Sequence, residues 1–249
     1  MSAGAGPLLE TRGLTLRAGG RCLLQGLNWR VHAGERWCLI GRNAAGKSSL
    51  LRALAGLGVP GRAGEVRWAG RPQADWSAAE AAAWRAWMPQ QAADRFALPV
   101  RRLMELSVVQ PGADADPLAV LAALDVAELA DRAVTQLSGG ERQRVALAQT
   151  AAQGAALMLL DEPIAFQDPT HQGVVARWLA GWAGERAGRA WVASSHDIHW
   201  VGRAATHVLA LWGDGRWRAG PVAQMLDAPT LQSVYGCDWL AAGGSWLPA

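Results

Sequence analysis

The chain has 249 residues, 51% of them hydrophobic and 18% charged, proportions that exclude a disordered, collagenous or coiled-coil chain. This is enough for one large α/β domain or two small ones. With 24 Lys+Arg against 21 Asp+Glu the net charge is +3, and the basic residues are scattered, so neither a basic stripe nor a reading motif points to a nucleic-acid partner. The longest apolar stretch, around Ala155 to Leu160, falls far short of the roughly 18 residues a membrane span needs. The opening residues Met1 to Pro7 have neither the basic start nor the apolar core of a secretory signal, so a cytoplasmic location is expected. Cys22, Cys38 and Cys237 are an odd set without paired spacing and are expected as reduced structural thiols. The 14 tryptophans are expected mostly in the core or half-buried.

In chain order, the first ~40 residues alternate apolar and polar, from Leu8 to Leu16 and from Cys22 to Val31, with Gly19-Gly20 between them. This predicts antiparallel strands joined by a tight turn. Trp37-Cys38-Leu39-Ile40 is a short apolar run ending at Gly41, and from Gly46 the pattern turns helical through Leu50, Leu51 and Leu54: strand, loop, helix. The middle, from about Ala92 to Ala152, is rich in helix formers and predicts helices at Val100 to Val109, Asp116 to Leu124 and Gly140 to Gln153. Beyond it, apolar runs at Ala156 to Leu160 and Ala190 to Ala193 alternate with helical stretches such as Gln172 to Ala183, the pattern of a parallel sheet with crossover helices. The expected organisation is a core of residues 1–91 and 153–249 interrupted by a helical insert at 92–152.

Gly41-Arg42-Asn43-Ala44-Ala45-Gly46-Lys47-Ser48 satisfies G-x-x-x-x-G-K-[ST] after a buried strand and at the start of a helix. Backbone N–H groups of such a loop wrap phosphates, the helix N-terminus adds a favourable dipole, Lys47 supplies a point charge and Ser48 can ligate Mg²⁺. Gly41, Asn43, Ala44, Ala45, Gly46, Lys47, Ser48 and Ser49 form the predicted nucleotide-binding set. A second Mg²⁺ partner is expected at the end of a neighbouring apolar strand. Ala156 to Leu160 followed by Asp161-Glu162 supplies it, with Asp161 for the metal shell and Glu162 placed to polarise an attacking water as general base. Leu137-Ser138-Gly139-Gly140-Glu141-Arg142-Gln143-Arg144 opens another helix, with Ser138 as N-cap before Val145, Leu147 and Ala148. Ser195-His196-Asp197 holds the three residue types of a hydrolase triad, but sequence neighbours point apart and no G-x-S-x-G elbow occurs. His196 and His199 have no evident third metal ligand.

Taken together, these strings resemble the ATP-binding cassette (ABC) ATPases over essentially the whole chain. Leu137 to Gln143 is similar to the family's signature sequence. The resemblance implies an α/β P-loop cassette with a mixed-sheet core, an N-terminal antiparallel β subdomain and a helical insert. It also implies roles for three further residues. Gln90, in Trp87-Met88-Pro89-Gln90, resembles the Q-loop glutamine that senses Mg²⁺ and the attacking water. Asp168 resembles the D-loop aspartate, and His196 the switch histidine that contacts the γ-phosphate. In this family two cassettes face head to tail, which implies a homodimer in which Ser138, Gly139 and Gly140 of one copy close on the ATP held by Lys47 of the other.

Some positions depart from the family pattern. Ala44 stands where glycine is usual, and if that position needs positive φ an alanine costs on the order of 1 kcal/mol. Ala18 stands where an aromatic often stacks on adenine, a loss of roughly 1–3 kcal/mol by analogy with other base-stacking platforms, with Arg17 a candidate substitute. Gln167 replaces a usual leucine and Ile164 a usual threonine.

The segments around Trp76-Ser77-Ala78, Phe96 to Val100, Asp168 to Gln172 and Gly220 to Gly236 are similar to the vitamin B12, haem and ferric-siderophore importer group. Such a resemblance implies ATP and Mg²⁺ as ligands, separate integral membrane permease subunits, indirectly a periplasmic substrate-binding protein, and a peripheral place on the inner face of the cell membrane. A non-transport ABC ATPase, or the ATPase of another importer or exporter, stays open as the alternative.

Overall fold

The N-terminal strands β1 (Leu9–Ala18) and β2 (Arg21–Val31) pair antiparallel. Their link is the two-residue turn Gly19-Gly20, both at positive φ (54° and 80°), the backbone that lets a two-residue loop match strand twist. This computed structural model describes residues 6–91, 96–108, 116–184, 188–242 and 245–249. After β3 (Arg36–Ile40) come α1 (Lys47–Leu54), β4 (Arg62–Trp68), β5 (Arg71–Pro72), α2 (Ala78–Trp84) and β6 (Arg85–Met88). Three helices follow, α3 (Val100–Ser107), α4 (Pro117–Ala123) and α5 (Gly139–Ala152). The chain then returns through β7 (Leu157–Leu160), α6 (Pro169–Gly184), β8 (Ala190–Ser194), α7 (Ile198–Ala204), β9 (His207–Leu211) and β10 (Trp217–Pro221). It ends with α8 (Val222–Met225), α9 (Ala228–Tyr235), β11 (Trp239–Ala242) and β12 (Ser245–Pro248).

Two sheets organise these elements. One is antiparallel in the order β2-β1-β4-β5; the other runs β10-β9-β3-β8-β7-β6, parallel from β9 to β6 with β10 antiparallel at one edge. The predicted mixed-sheet core and antiparallel N-terminal sheet are both present. Strand alternation divides the interior. Leu39, Leu157, Leu159, Val192, Leu209 and Leu211 pack with Leu50, Leu51 and Leu54 of α1 and with the antiparallel sheet. Cys38, Ile40, Met158, Leu160, Ala193 and Val208 face the opposite side, against α3 to α7. The phosphate-loop strand β3 is thus clamped between two cores.

The predicted helices lie where expected to within a few residues; Val109, and the expected insert boundary at Ala92, fall outside the described residues. Ser138 caps α5 as expected, Val145, Leu147 and Ala148 are buried, and so is every other residue from Gln143 to Ala148, the pattern of a helix enclosed on several sides. All 14 tryptophans are buried or half-buried. Trp37 stands edge-on to Trp29 at 5.0 Å and stacks on His207 at 4.6 Å. The three cysteines are unpaired, with Cys38 buried and its thiol pushed up by desolvation.

Candidate functional site

The loop between β3 and α1 forms one wall of a cavity of about 560 Å³, lined by Asn43, Ala44, Ala45, Gly46, Lys47, Ser48 and Ser49 with Gln90, Glu162, Ala18, Arg21 and Leu23. Gly46 caps α1, so the positive end of that helix opens into the cavity. Lys47 is buried, and its Nζ donates to the carbonyl of Gly41 at 2.8 Å and of Arg42 at 3.3 Å. Burial lowers its pKa, while the nearby Glu162 and Asp161 pull it back up. Ala44 sits at φ 60°, so the positive-φ requirement anticipated for this position is met by a residue with a Cβ.

The opposite wall is built at the ends of β7 and β8. Glu162, directly after the buried run Leu157–Leu160, has φ 52°, a left-handed conformation that persists only where surroundings over-determine it. Three contacts do so. Its backbone N–H donates to Ser194 Oγ (2.9 Å), its carbonyl accepts from Gln143 Nε2 (2.8 Å), and its Oε2 lies 3.0 Å from His196 Nδ1. The Glu162 side chain is 10% exposed and that of His196 68%. The carboxylate is therefore sheltered behind a ring that faces outward. Asp161 is buried beside it and accepts from Ser194 Oγ at 2.6 Å.

The signature residues gather elsewhere. Ser138, Gly139, Gly140 and Asp168 line a second cavity of about 420 Å³ with Glu141, Arg144, Phe166, Gln167 and His171. Ser138 caps α5 in a capping box: Glu141 N–H donates to its Oγ, and Glu141 Oε2 accepts from its N–H, satisfying two end donors at once. A Cβ on Gly140 would stand 2.8 Å from the Phe166 carbonyl oxygen, so the close approach of loop and helix requires glycine there. Gln167 fills the remaining space, accepting from Arg144 (2.8 Å) and donating to the Gly140 carbonyl (2.7 Å). Asp168 accepts from the His171 backbone N–H, and its Oδ2 lies 2.7 Å from His171 Nδ1, contacts that hold its carboxyl below the usual range.

Residues 24–165 match the model of the family described as ABC transporter. The chain belongs to the ABC transporter family. A relative in Streptomyces coelicolor, hemin import ATP-binding protein HmuV, is 43% identical over 236 residues, covering 92% of this chain and 83% of that one. Cobalamin import ATP-binding protein BtuD of Halobacterium salinarum is 37% identical over 238 residues, covering 91% and 58%. A metal-chelate type ABC transporter solved in an inward-facing conformation shares the fold with a TM-score of 0.79 at 22% identity, covering 98% of each chain. As a member of this family the cassette binds and hydrolyses ATP. Among the described residues no helix is long and apolar enough to cross a membrane.

Within this ABC cassette the predicted site residues fall into two groups that one chain does not join. Gly41, Asp161 and His196 adjoin the lining of the first cavity: Gly41 accepts from Lys47, Asp161 is buried next to Glu162 in the chain, and His196 meets the Glu162 carboxylate. His199 is exposed, with Nδ1 2.8 Å from Ser245 Oγ. Arg17, the suggested aromatic substitute, does not line the first cavity; its backbone and Cβ lie against Gly61. Sequence reasoning missed Ser194 and Gln143, which fasten Glu162 from 32 and 19 residues away. Gln143 is part of the signature string, but nothing in the sequence marks its contact with Glu162.

Proposed function

We propose that this chain is the ATP-hydrolysing subunit of a membrane importer for metal-chelate compounds, of the haem, cobalamin or ferric-siderophore class. It would act as a homodimer on the inner face of the cell membrane, with integral permease subunits and a periplasmic substrate-binding protein as partners. The hemin and cobalamin import names of its relatives support the substrate class. The observation that carries the catalytic reading is the sheltered Glu162 carboxylate, facing the cavity of Lys47 and hydrogen-bonded to His196.

In this reading the loop from Gly41 to Ser49 wraps the phosphates with backbone N–H groups, and Lys47 neutralises their charge. Glu162 takes the proton of an attacking water, and His196, donating from the other ring nitrogen, steadies the γ-phosphate. Ser48, Gln90 and Asp161 offer a hydroxyl, an amide oxygen and a carboxylate, the hard oxygen donors that suit Mg²⁺. When bound, that ion withdraws charge from the phosphate oxygens. Ser138, Gly139, Gly140 and Asp168 would complete the site of a second copy, which accounts for their separate cavity. Residues 92–152 would then act as a helical lobe carrying this signature, and 1–91 with 153–249 as the nucleotide-binding core.

Glu162→Gln tests the assignment. It keeps the shape and the contact to His196 but removes the base, so hydrolysis is expected to fall by roughly 10²-fold or more while ATP binding persists and a closed dimer accumulates in light scattering. Hydrolysis at the wild-type rate rejects Glu162 as base. Isolation of the chain with a many-span permease from native membranes supports transport, whereas recovery with ribosomal or DNA-repair proteins favours the non-transport alternative.

A further inference from the structure

The first cavity contains a cation that the reading above leaves unused. Arg21 begins β2 immediately after the Gly19-Gly20 turn and is the register partner of Ala18. Cross-strand partners share a face of the sheet, and here both line the cavity. Ala18 offers only a methyl group, which leaves the space beside it to the Arg21 side chain. Leu23, two residues along and on the same face, touches the phosphate loop: a Cβ on Gly46 would lie 3.1 Å from Leu23 Cβ. Arg21 therefore starts about 7 Å further along β2 from the point where Leu23 meets the phosphate loop. Its guanidinium rests at the rim, with Nη2 3.2 Å from where a Cβ on Gly213 would stand, next to Ala45.

Two further facts fix what it can do. Among the described residues, no aromatic side chain lines this cavity. Among the described residues the Arg21 side chain has neither a hydrogen bond nor an ion pair, whereas Lys47 is committed to two carbonyls. A guanidinium is a weakly hydrated plane that stacks on aromatic faces, and every base presents a π-face. We infer that Arg21 is the base platform of this site, stacking on the purine ring of the bound nucleotide in place of an aromatic side chain. This rests on the nucleotide-site reading proposed above.

The test compares ATP with inorganic tripolyphosphate, which has the charge but no base, by titration calorimetry on the full chain. Arg21→Ala is expected to weaken ATP roughly tenfold and leave tripolyphosphate within about twofold of wild type. Arg21→Lys keeps the charge without the plane and is expected to behave like Arg21→Ala, while Arg21→Trp restores ATP affinity. Introducing Ala18→Tyr into the Arg21→Ala chain is likewise expected to recover binding. Parallel weakening of ATP and tripolyphosphate, or full retention by Arg21→Lys, would make Arg21 a phosphate contact and overturn the inference. Equal ATP affinity in wild type and Arg21→Ala overturns it as well. Failure of the folded wild-type chain to bind either ligand instead overturns the underlying nucleotide-site reading.

Discussion

Ser194 Oγ lies 2.6 Å from Asp161 Oδ1 and accepts the Glu162 backbone N–H at 2.9 Å. One fully buried hydroxyl at the end of β8 thus positions two consecutive acidic residues at the end of β7. The hydroxyl proton is committed to the carboxylate, and its lone pair holds the strained turn.

Ser194→Ala removes both contacts and leaves a buried N–H and a buried carboxylate oxygen short of a partner, at a cost of about 1–3 kcal/mol. We expect a lower urea midpoint together with hydrolysis reduced roughly tenfold or more at saturating ATP, because misplaced groups lose reactive geometry. ATP affinity should change little, since Lys47 and the α1 N-terminus are untouched. A variant that is destabilised but turns over normally would assign Ser194 to stability alone.

Ala44 carries a Cβ at φ 60°. The left-handed backbone costs a non-glycine residue about 1–2 kcal/mol, and part of any gain from glycine is returned as unfolded-chain entropy. Ala44→Gly should therefore stabilise the chain by about 0.5–1 kcal/mol, measured by denaturant unfolding. No gain, or a loss, would mean that the loop gains nothing by shedding the Cβ.

The Ser138 capping box makes the start of α5 acid-sensitive. The Ser138 backbone N–H, and then its side chain, hold the Glu141 carboxyl below its ordinary value of 4.5. A carboxylate whose folded pKa is depressed contributes stability that is fully present above the unfolded value and lost as pH falls through the folded one. Glu141→Gln can still accept the Ser138 N–H but does not titrate. The stability advantage of wild type over Glu141→Gln, followed by thermal unfolding, should shrink as pH falls from about 6 to about 3; a constant difference would exclude the linkage.

The motif residues were legible because each string is contiguous and adjacent to a periodic apolar run: Gly41 to Ser48 after Trp37 to Ile40, Asp161-Glu162 after Ala156 to Leu160. The positive φ of Ala44 was foreseeable from the missing glycine. The positioning residues were not. Ser194, Gln143 and Gln167 act across 32, 19 and 27 residues, separations that only strand order and helix packing close. The expectation placed on Arg17 fails on parity. A two-residue turn sets Ala18 opposite Arg21, whereas Arg17, one residue away, belongs to the other face.

Gln167 turns the segment from Glu162 to Asp168 into a stiff crank. It is fastened to α5 at one end by Gln143, which grips the Glu162 carbonyl, and at the other by Arg144 and the Gly140 carbonyl through the Gln167 amide. Helix and loop must then travel as one body. Any tilt of α5 that presents Ser138 outward drags the carbonyl behind the Glu162 carboxylate with it, so the geometry at one end of the chain's machinery is geared mechanically to the pose of the other.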